Sequence, residues 1–487
     1  MLKTLKDIDQ FFVRNQTPIY CINTTMFNLI GADWIGGLSF MNTIDSFSGL
    51  RPNVFVPPDA GGRNFTGFES ANQYLLDHPA VVNRLKPGGK ALFLMFNRQN
   101  ESRAEQLGLQ VCLPDAALRT HLDSKVVTTR LANRAGIASV PNVLAKAANY
   151  QELRSAARDL GRDDLGGDLV VQLPYGDSGK TTFFIRQESD FEACADRIAA
   201  AGEVKIMKRI RCRQATIEGC VTRHGTLAGP LQTELVGFGE LTPYGGGWCG
   251  NEVFAASEST VLAPAIRRQA QRAVIALGEQ LRCTGYRGCF GLDFLIDVET
   301  GALYLGEMNP RITGATPMTS LAAADAGTVP LLLFHLLEWL GADYTVDVET
   351  YNRQWLEAER LTSWSQMIME HTGDHAEQVT SAPPSGIWRL EPGGEVTFQR
   401  TAFGPQSISD ENEVLFLRTI DRGQTRTPGT CIGRLIARGR LMTDEYQLND
   451  RARRLTRAFN ATFHAASRSS TFFRSVPHPR HADMACG

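Results

Sequence analysis

The sequence predicts a mixed α/β (α+β) chain: an N-terminal open-sheet domain over residues 1–120, a central domain over 121–345 and a C-terminal α+β unit over 346–487. Three observations predict it. At 487 residues the chain exceeds what one hydrophobic core supports. Over its first two-thirds, apolar and β-branched runs alternate with helical patterns, the mark of α/β units. After about residue 345 the texture changes to hairpin-like runs followed by one amphipathic helix.

Each element has a local reason. "TPIYCIN", "GKALFLMFN" (89–97) and "LQVCLP" (109–114) read as strands of the open sheet, with "NESRAEQLG" a helix stopped at Gly108. In "DSKVVTTRLANRAG", Asp123 is the expected N-cap, Leu131 lies on the apolar face and Gly136 is the stop. "DLVVQLP" and "TTFFIRQ" read as strands joined by the loop "YGDSGK". Ser189 with Glu192 reads as a capping box. "EVKIMKRI" is a strand, with a solvated basic face as one reading of Lys205 and Lys208. "QATIEGCVTRHGTLAGPLQTELV" is a hairpin turning at His224-Gly225, and "APAIRRQAQRAVIALGEQLR" is a long helix. Further on, "SGIWRLEPGGEVTFQR" is hairpin-like, "CIGRLIARGRLM" is β-rich and "NDRARRLTRAFNATFHAAS" is helical. The tail "VPHPRHADMACG" is expected to be mobile.

Bulk properties narrow the partners. Fifty basic against 52 acidic side chains leave a formal charge of −2, which gives no support for nucleic acid or a polybasic membrane contact. No segment approaches the ~18 apolar residues of a membrane span, and the N-terminus lacks a cleavable leader pattern. Ten scattered cysteines without a C-x-x-C pair read as reduced thiols, so the expected location is the cytoplasm.

The chemistry concentrates in "GLDFLIDVETGALYLGEMNPR" (291–311). With a turn centred on Thr300-Gly301, cross-strand partners have numbers summing to about 600. That sets Asp293 opposite Glu307, Leu295 opposite Leu305 and Asp297 opposite Leu303. Alternation then puts Asp293, Glu307, Asn309 and Arg311 on one face, and Leu292, Phe294, Ile296, Tyr304 and Met308 on the other. Two carboxylates facing each other in a dry setting repel, and a divalent cation resolves the conflict. Oxygen ligands from Asp, Glu and Asn suit Mg²⁺, with Mn²⁺ as an alternative, and Arg311 is placed to meet a phosphate oxygen. The competing reading is a solvated sheet face with an incidental ion pair.

Upstream, "PYGDSGKT" (174–181) imitates a P-loop without being one. Pro174 stands where the first glycine belongs, and the following "TTFFIRQ" is no helix start. A strand–loop–strand turn still offers backbone N–H groups at Gly176, Ser178 and Gly179 to phosphates, with Lys180 as counter-charge. A plain hairpin loop is the alternative.

Loop and hairpin in this order, with "EVKIMKRI" between them, resemble the ATP-grasp superfamily over roughly residues 115 to 335. "YRGCFGLDFLI" followed by "LYLGEMNPR" is similar to its biotin-carboxylase-like branch. The resemblance implies that two α+β subdomains grip ATP, and that Asp293, Glu307 and Asn309 hold Mg²⁺ bridging its phosphates. Arg311 would steady the transferring phosphoryl group, Lys125 would reach nucleotide phosphate, and loop 176–180 would cover the β- and γ-phosphates. The backbone of Met207, Lys208, Arg209 and Ile210 would form the adenine hinge.

Two departures stand out. The strand before the loop carries Gln172 where the family has a phosphate-contacting lysine, and Lys180 is the expected substitute. Lys208 and Arg209 follow Met207 where a ribose-binding glutamate is usual, and Glu218 is the candidate for that role. Implied is an ATP-dependent carboxylate–amine ligase that joins amino-acid-like small molecules through an acyl phosphate and releases ADP and phosphate. "TPYGGGWCGN", with Trp248, would be the acceptor-side loop, and Arg287 would accompany Arg311 near the substrate carboxylate. A bicarbonate-phosphorylating carboxylase and a nucleotide-binding regulator without turnover are the competing functions. A homodimer is compatible with the resemblance.

Overall fold

The computed structural model describes residues 1–61, 63, 65–158, 168–176, 181–253, 263–357 and 364–467. Five parallel strands form the N-terminal sheet: β1 (Ile19–Asn23), β2 (Leu38–Asn42), β3 (Val54–Phe55), β4 (Lys90–Leu92) and β5 (Gln110–Val111), ordered β3-β2-β1-β4-β5. Every residue of β1 is buried, as a parallel strand covered on both faces requires. Ile19 and Cys21 join one core with Phe12 and the helices Thr316–Asp325 and Leu331–Leu340, while Tyr20 and Ile22 join another with Leu75 and Phe96. Among the described residues no helix is long and apolar enough to cross a membrane.

A four-stranded antiparallel sheet follows, β6 (Asn142–Lys146), β7 (Leu169–Gln172), β8 (Thr182–Ile185) and β9 (Glu203–Lys208), in the order β6-β9-β7-β8. Val171, Val204 and Ile206 turn one face onto helices carrying Leu153, Phe191 and Ile198. Val170 and Met207 look the other way, into a small cluster with Val140, Leu295 and Tyr304.

Ten strands make the large antiparallel sheet. They are β10 (Cys212–Thr222), β11 (Gly225–Val236), β12 (Trp248–Val253), β13 (Gly288–Asp297), β14 (Leu303–Asn309), β15 (Trp364–Glu370), β17 (Gly386–Leu390), β18 (Val396–Arg400), β19 (Glu413–Arg418) and β21 (Cys431–Arg438). Their order is β14-β13-β10-β11-β12-β15-β21-β19-β17-β18, so strands before and after residue 345 share one hydrogen-bonded ladder. Three short strands, β16 (Glu377–Ser381), β20 (Thr425–Arg426) and β22 (His464–Ser467), form a separate small sheet. Ala270, Ala273, Val274, Leu277 and Leu281 line one stripe of the helix Ala263–Cys283 at three- and four-residue spacing. They cover Ile217, Phe290, Leu292, Phe294 and Met308 of the sheet.

Several local expectations are corrected. The helix Lys125–Arg134 is capped by Ser124, whose hydroxyl accepts from Val127 N, and Asp123 instead closes the preceding helix Ala116–Leu122. Ser189 lies within the helix Glu188–Glu192, and the Asp190 carboxylate accepts from the backbone of Arg186 and Gln187. Thr222 pairs with Gly225, so the β10–β11 turn centres on Arg223-His224. The tail expected to be mobile lies outside the described residues.

The β13–β14 register holds at its open end and breaks near its middle. Gly291 pairs with Asn309, Leu292 with Met308 and Asp293 with Glu307, but Phe294 pairs with Leu305, Leu295 with Tyr304 and Ile296 with Leu303. Gly306 is the extra residue of a β-bulge. It moves Tyr304 off the expected core face to sit with Leu295 beside Val170 and Met207, and brings Leu303 and Leu305 into the core. Deleting Gly306 removes only the unpaired residue, so Glu307 should stay opposite Asp293 and Leu303 and Leu305 should stay in the core of a now regular ladder. Urea unfolding within about 1 kcal/mol of wild type is expected; a loss of about 3 kcal/mol or more would show that the extra residue itself is needed.

Candidate active site

Alternation along the strands leaves Thr216, Asp293, Glu307 and Asn309 together on the sheet face opposite the long helix. Asp293 accepts the Thr216 hydroxyl at 2.7 Å on Oδ1 and the Asn309 amide at 2.6 Å on Oδ2. Glu307 Oε2 meets Lys125 Nζ at 2.8 Å, and the same ammonium donates to the carbonyl of Gly176 at 2.9 Å. Lys125 thus ties the hairpin, its own helix and the start of the glycine loop together.

The charges here are strongly coupled. Burial first, then the facing Glu307, push Asp293 up to about 7, against the Thr216 hydroxyl, Arg311 and Asn309. Burial also raises Glu307, but the charge and hydrogen bond of Lys125, with Arg311, outweigh it and hold this carboxylate below its ordinary value. Burial and repulsion thus favour the neutral form of Asp293, while Lys125 favours the charged form of Glu307. Glu234 of β11 is a third acid: burial and then the charges of Asp293 and Glu307 raise it well above normal, while the Trp248 indole opposes.

Arg311 follows the hairpin, its backbone N–H bonded to Asn309 O and its buried Nε without a partner. Its charge is felt by Arg119, only 5 % exposed, whose Nε and Nη1 make no hydrogen bond among the described residues. Asp123 stands 3.7 Å from Arg119 Nη1, and the Phe96 ring is 5.5 Å from its guanidinium. The loop after Arg311 is pinned from below. Thr313 and Thr316 donate hydroxyls to Glu218 at 2.7 and 2.6 Å, Gln232 donates to Thr319 at 2.8 Å, and Gln366 donates to Gly314 O at 2.7 Å.

The other expected residues divide into three groups. Met207 is buried in the apolar cluster between the two sheets, with Ile210 against it. The amides of Lys208 and Arg209 donate to Pro141 O and Asp168 O, just outside β6 and β7. Arg209 also lies over Phe184 and 3.4 Å from Asp168. Ser178, Gly179 and Lys180 lie outside the described residues. Glu218 corrects its expectation: at 1 % exposure and engaged by two threonines, it anchors a loop and has no open face for a ribose. Arg287 is also corrected, because it stacks 3.8 Å from the Trp339 ring centre. Trp248 packs on Gly314, where an added Cβ would lie 2.4 Å from the indole.

The solvated reading of Lys205 does not hold. It is 1 % exposed, it pairs in register with Gln172, and it shares a face with Met207. The signal was a lone lysine inside "VKIM", two residues from Met207 on a period-2 strand. Glu234 gave the same signal in "LQTELV"; Arg119, mid-helix, gave none.

Among the described residues no group of three or more His, Cys, Asp and Glu side chains is arranged to hold a metal ion. Two carboxylates and an amide fit a hard cation that completes its shell with water and phosphate oxygens.

No known protein-family signature matches this chain, and no curated protein matches it in sequence. Solved structures do match in fold. The biotin carboxylase domain of Hydrogenobacter thermophilus 2-oxoglutarate carboxylase, a dimer with MgADP, ADP and bicarbonate, is similar at TM-score 0.59 and 14 % identity, over 93 % of this chain and 91 % of that one. Biotin carboxylase from Campylobacter jejuni gives 0.55 and 12 %, over 82 % and 79 %. N5-carboxyaminoimidazole synthase from Aspergillus clavatus, with ADP and 5-aminoimidazole ribonucleotide, gives 0.53 and 10 %, over 87 % and 94 %. The fold is the ATP-grasp fold.

The charge pattern predicts opposite stability changes for the two acids. With its folded value near 7 against an ordinary 3.8, Asp293 favours the folded state while it keeps its proton, and that contribution is lost as pH rises from about 4 through 7. Asp293→Asn should therefore melt about 2 °C above the ligand-free wild type at pH 8, with the gap narrowing at pH 5. Glu307→Gln leaves the buried Lys125 unpaired and should cost about 1–2 kcal/mol at either pH. Differential scanning calorimetry at both pH values measures these shifts, and a destabilised Asp293→Asn at pH 8 would refute the repulsion.

Proposed function

We propose that this protein is an ATP-dependent carboxylate–amine ligase that activates a carboxylate as its acyl phosphate and transfers the acyl group to an amine. The observation that carries the reading is the facing pair Asp293 and Glu307, charge-balanced by Lys125 and joined by Asn309 and Arg311. Two opposed acids in a partly dry cleft are a stability cost that a metal–polyphosphate ligand removes. Asp293, Glu307 and Asn309 would hold Mg²⁺ or Mn²⁺, which when bound offsets phosphate charge and orients the terminal phosphoryl group.

The chain's own groups do the rest. Val170, Met207, Leu295 and Tyr304 offer apolar walls for the adenine ring between the two sheets. Lys125 reaches the phosphate end from the helix start. In the first step a substrate carboxylate oxygen attacks the γ-phosphorus, the bridging bond breaks and ADP leaves. In the second, the amine nitrogen attacks the acyl carbon, phosphate leaves and the nitrogen loses a proton. Arg311, and Arg119 beside it, present guanidinium N–H groups that make no hydrogen bond among the described residues to the carboxylate and then to the acyl phosphate. Little is asked of a protein acid or base, because positioning and charge stabilisation carry phosphoryl transfer. The buried Glu218–Thr313–Thr316 contacts keep the loop after Arg311 rigid.

A second reading has its own support. The likeness to carboxylases, one of them solved with bicarbonate, runs over nearly the whole length of both chains. Bicarbonate would then be the carboxylate that is phosphorylated.

A phosphate-release screen over pairs of amino acids with Mg-ATP tests the first reading. Release is expected only when carboxylate and amine are both present, and Glu307→Gln should lower it by at least about 100-fold. AMP and pyrophosphate as products, or full activity in Glu307→Gln, would sink it. Incorporation of ¹⁴C-bicarbonate into an acid-stable product would select the carboxylase instead.

A further inference from the structure

We propose that Lys205 is a binding group for the outer phosphates of the nucleotide, in the place that Gln172 leaves without a cation. This deepens the ligase reading and rests on it. Lys205 is 1 % exposed, a rare state for a lysine. Its neighbours Val204 and Ile206 point into the helix-covered core, so alternation aims Lys205, with Met207, at the β13–β14 hairpin. Among the described residues no acceptor lies within hydrogen-bond or ion-pair reach of its ammonium, although that ammonium senses the charges of Glu307 and Lys125. A buried ammonium is costly unless something pairs with it, and among the described residues no hydrogen-bond or ion-pair partner does so.

The register shows what the residue replaces. Gln172 on β7 and Lys205 on β9 are direct cross-strand partners, so their side chains leave the same face side by side. Among the described residues the buried Gln172 Oε1 has no hydrogen-bond partner, and its Nε2 meets Thr182 Oγ1 at 3.4 Å. An uncharged amide and an unpaired ammonium thus occupy adjacent positions above the metal-type hairpin. The ligand class that satisfies both is a polyanion held at Glu307 and Lys125: the β- and γ-phosphates of a nucleoside triphosphate. Proximity to those two residues places Lys205 at the outer-phosphate end, away from the ring walls at Val170 and Tyr304.

Isothermal titration of the full-length protein with Mg-ATP, Mg-ADP and AMP tests the assignment, using wild type, Lys205→Gln, Gln172→Lys and the double variant. Lys205→Gln should weaken Mg-ATP and Mg-ADP by about 50-fold and AMP by less than about threefold. The double variant, with the lysine returned to the neighbouring strand, should recover Mg-ATP affinity to within about fivefold of wild type. Lys205→Gln removes a buried unpaired charge, so its melting temperature should not fall, and a matching near-ultraviolet circular dichroism spectrum shows that it folds. Mg-ATP affinity within threefold of wild type in Lys205→Gln, equal losses for AMP, or no recovery in the double variant would each overturn the assignment. A wild-type protein that binds no Mg-ATP would instead overturn the ligase reading beneath it.

Discussion

Two carboxylates side by side on neighbouring strands, Asp293 and Glu307, are the constraint around which the rest is arranged. Left alone in a half-buried cleft they repel, and the fold answers in two ways. It brings Lys125 onto Glu307 and favours the neutral form of Asp293. Both answers are temporary in the proposed reaction, because a metal–nucleotide complex needs both acids ionised. The long helix on the far face, with its stripe from Ala270 to Leu281, supplies the packing that keeps so awkward a pair in register.

Around that pair the cleft is divided by chemistry. Apolar side chains from both sheets gather at Met207 and Tyr304. Cationic groups gather at the other end, where Lys125, Lys205 and Arg311 come from three separate segments. Arg119 adds a further positive group from the edge of the N-terminal unit. A ligand with a flat apolar ring at one end and several negative charges at the other matches this division. The threonines under the loop at 313–316 give the arginine end its rigidity.

How much of this was legible in the sequence depends on the range of the interaction involved. Strand pairing at the hairpin mouth matches the expected numbers, with Asp293 opposite Glu307, but only because the extra residue Gly306 offsets a turn centred one place earlier than the sequence suggests. The bulge at Gly306 shows only as a phase break, Leu303 and Leu305 then Met308 with a glycine between, and a strict period of two carried across it puts Tyr304 on the wrong face. Asp123 failed as a cap because Ser124, one residue on, offers its hydroxyl to the first turn. Lys205 and Glu218 failed for a shared reason. Whether a charged side chain in a strand is solvated or buried is decided by what lies across the cleft, and for Glu218 those partners, Thr313 and Thr316, are 95 and 98 positions away in the chain.

The reach of Lys125 has a consequence for folding. Its two partners lie 51 and 182 positions along the chain, at Gly176 and at Glu307 (307 − 125). Contacts of such separation close late, since the chain entropy they cost is repaid only once the intervening sheets exist. Partly folded chains emerging from synthesis would therefore hold native strands and helices well before they hold this clip. Under the proposed function, retention on an immobilised nucleotide would then select fully folded molecules from a mixture that circular dichroism cannot tell apart.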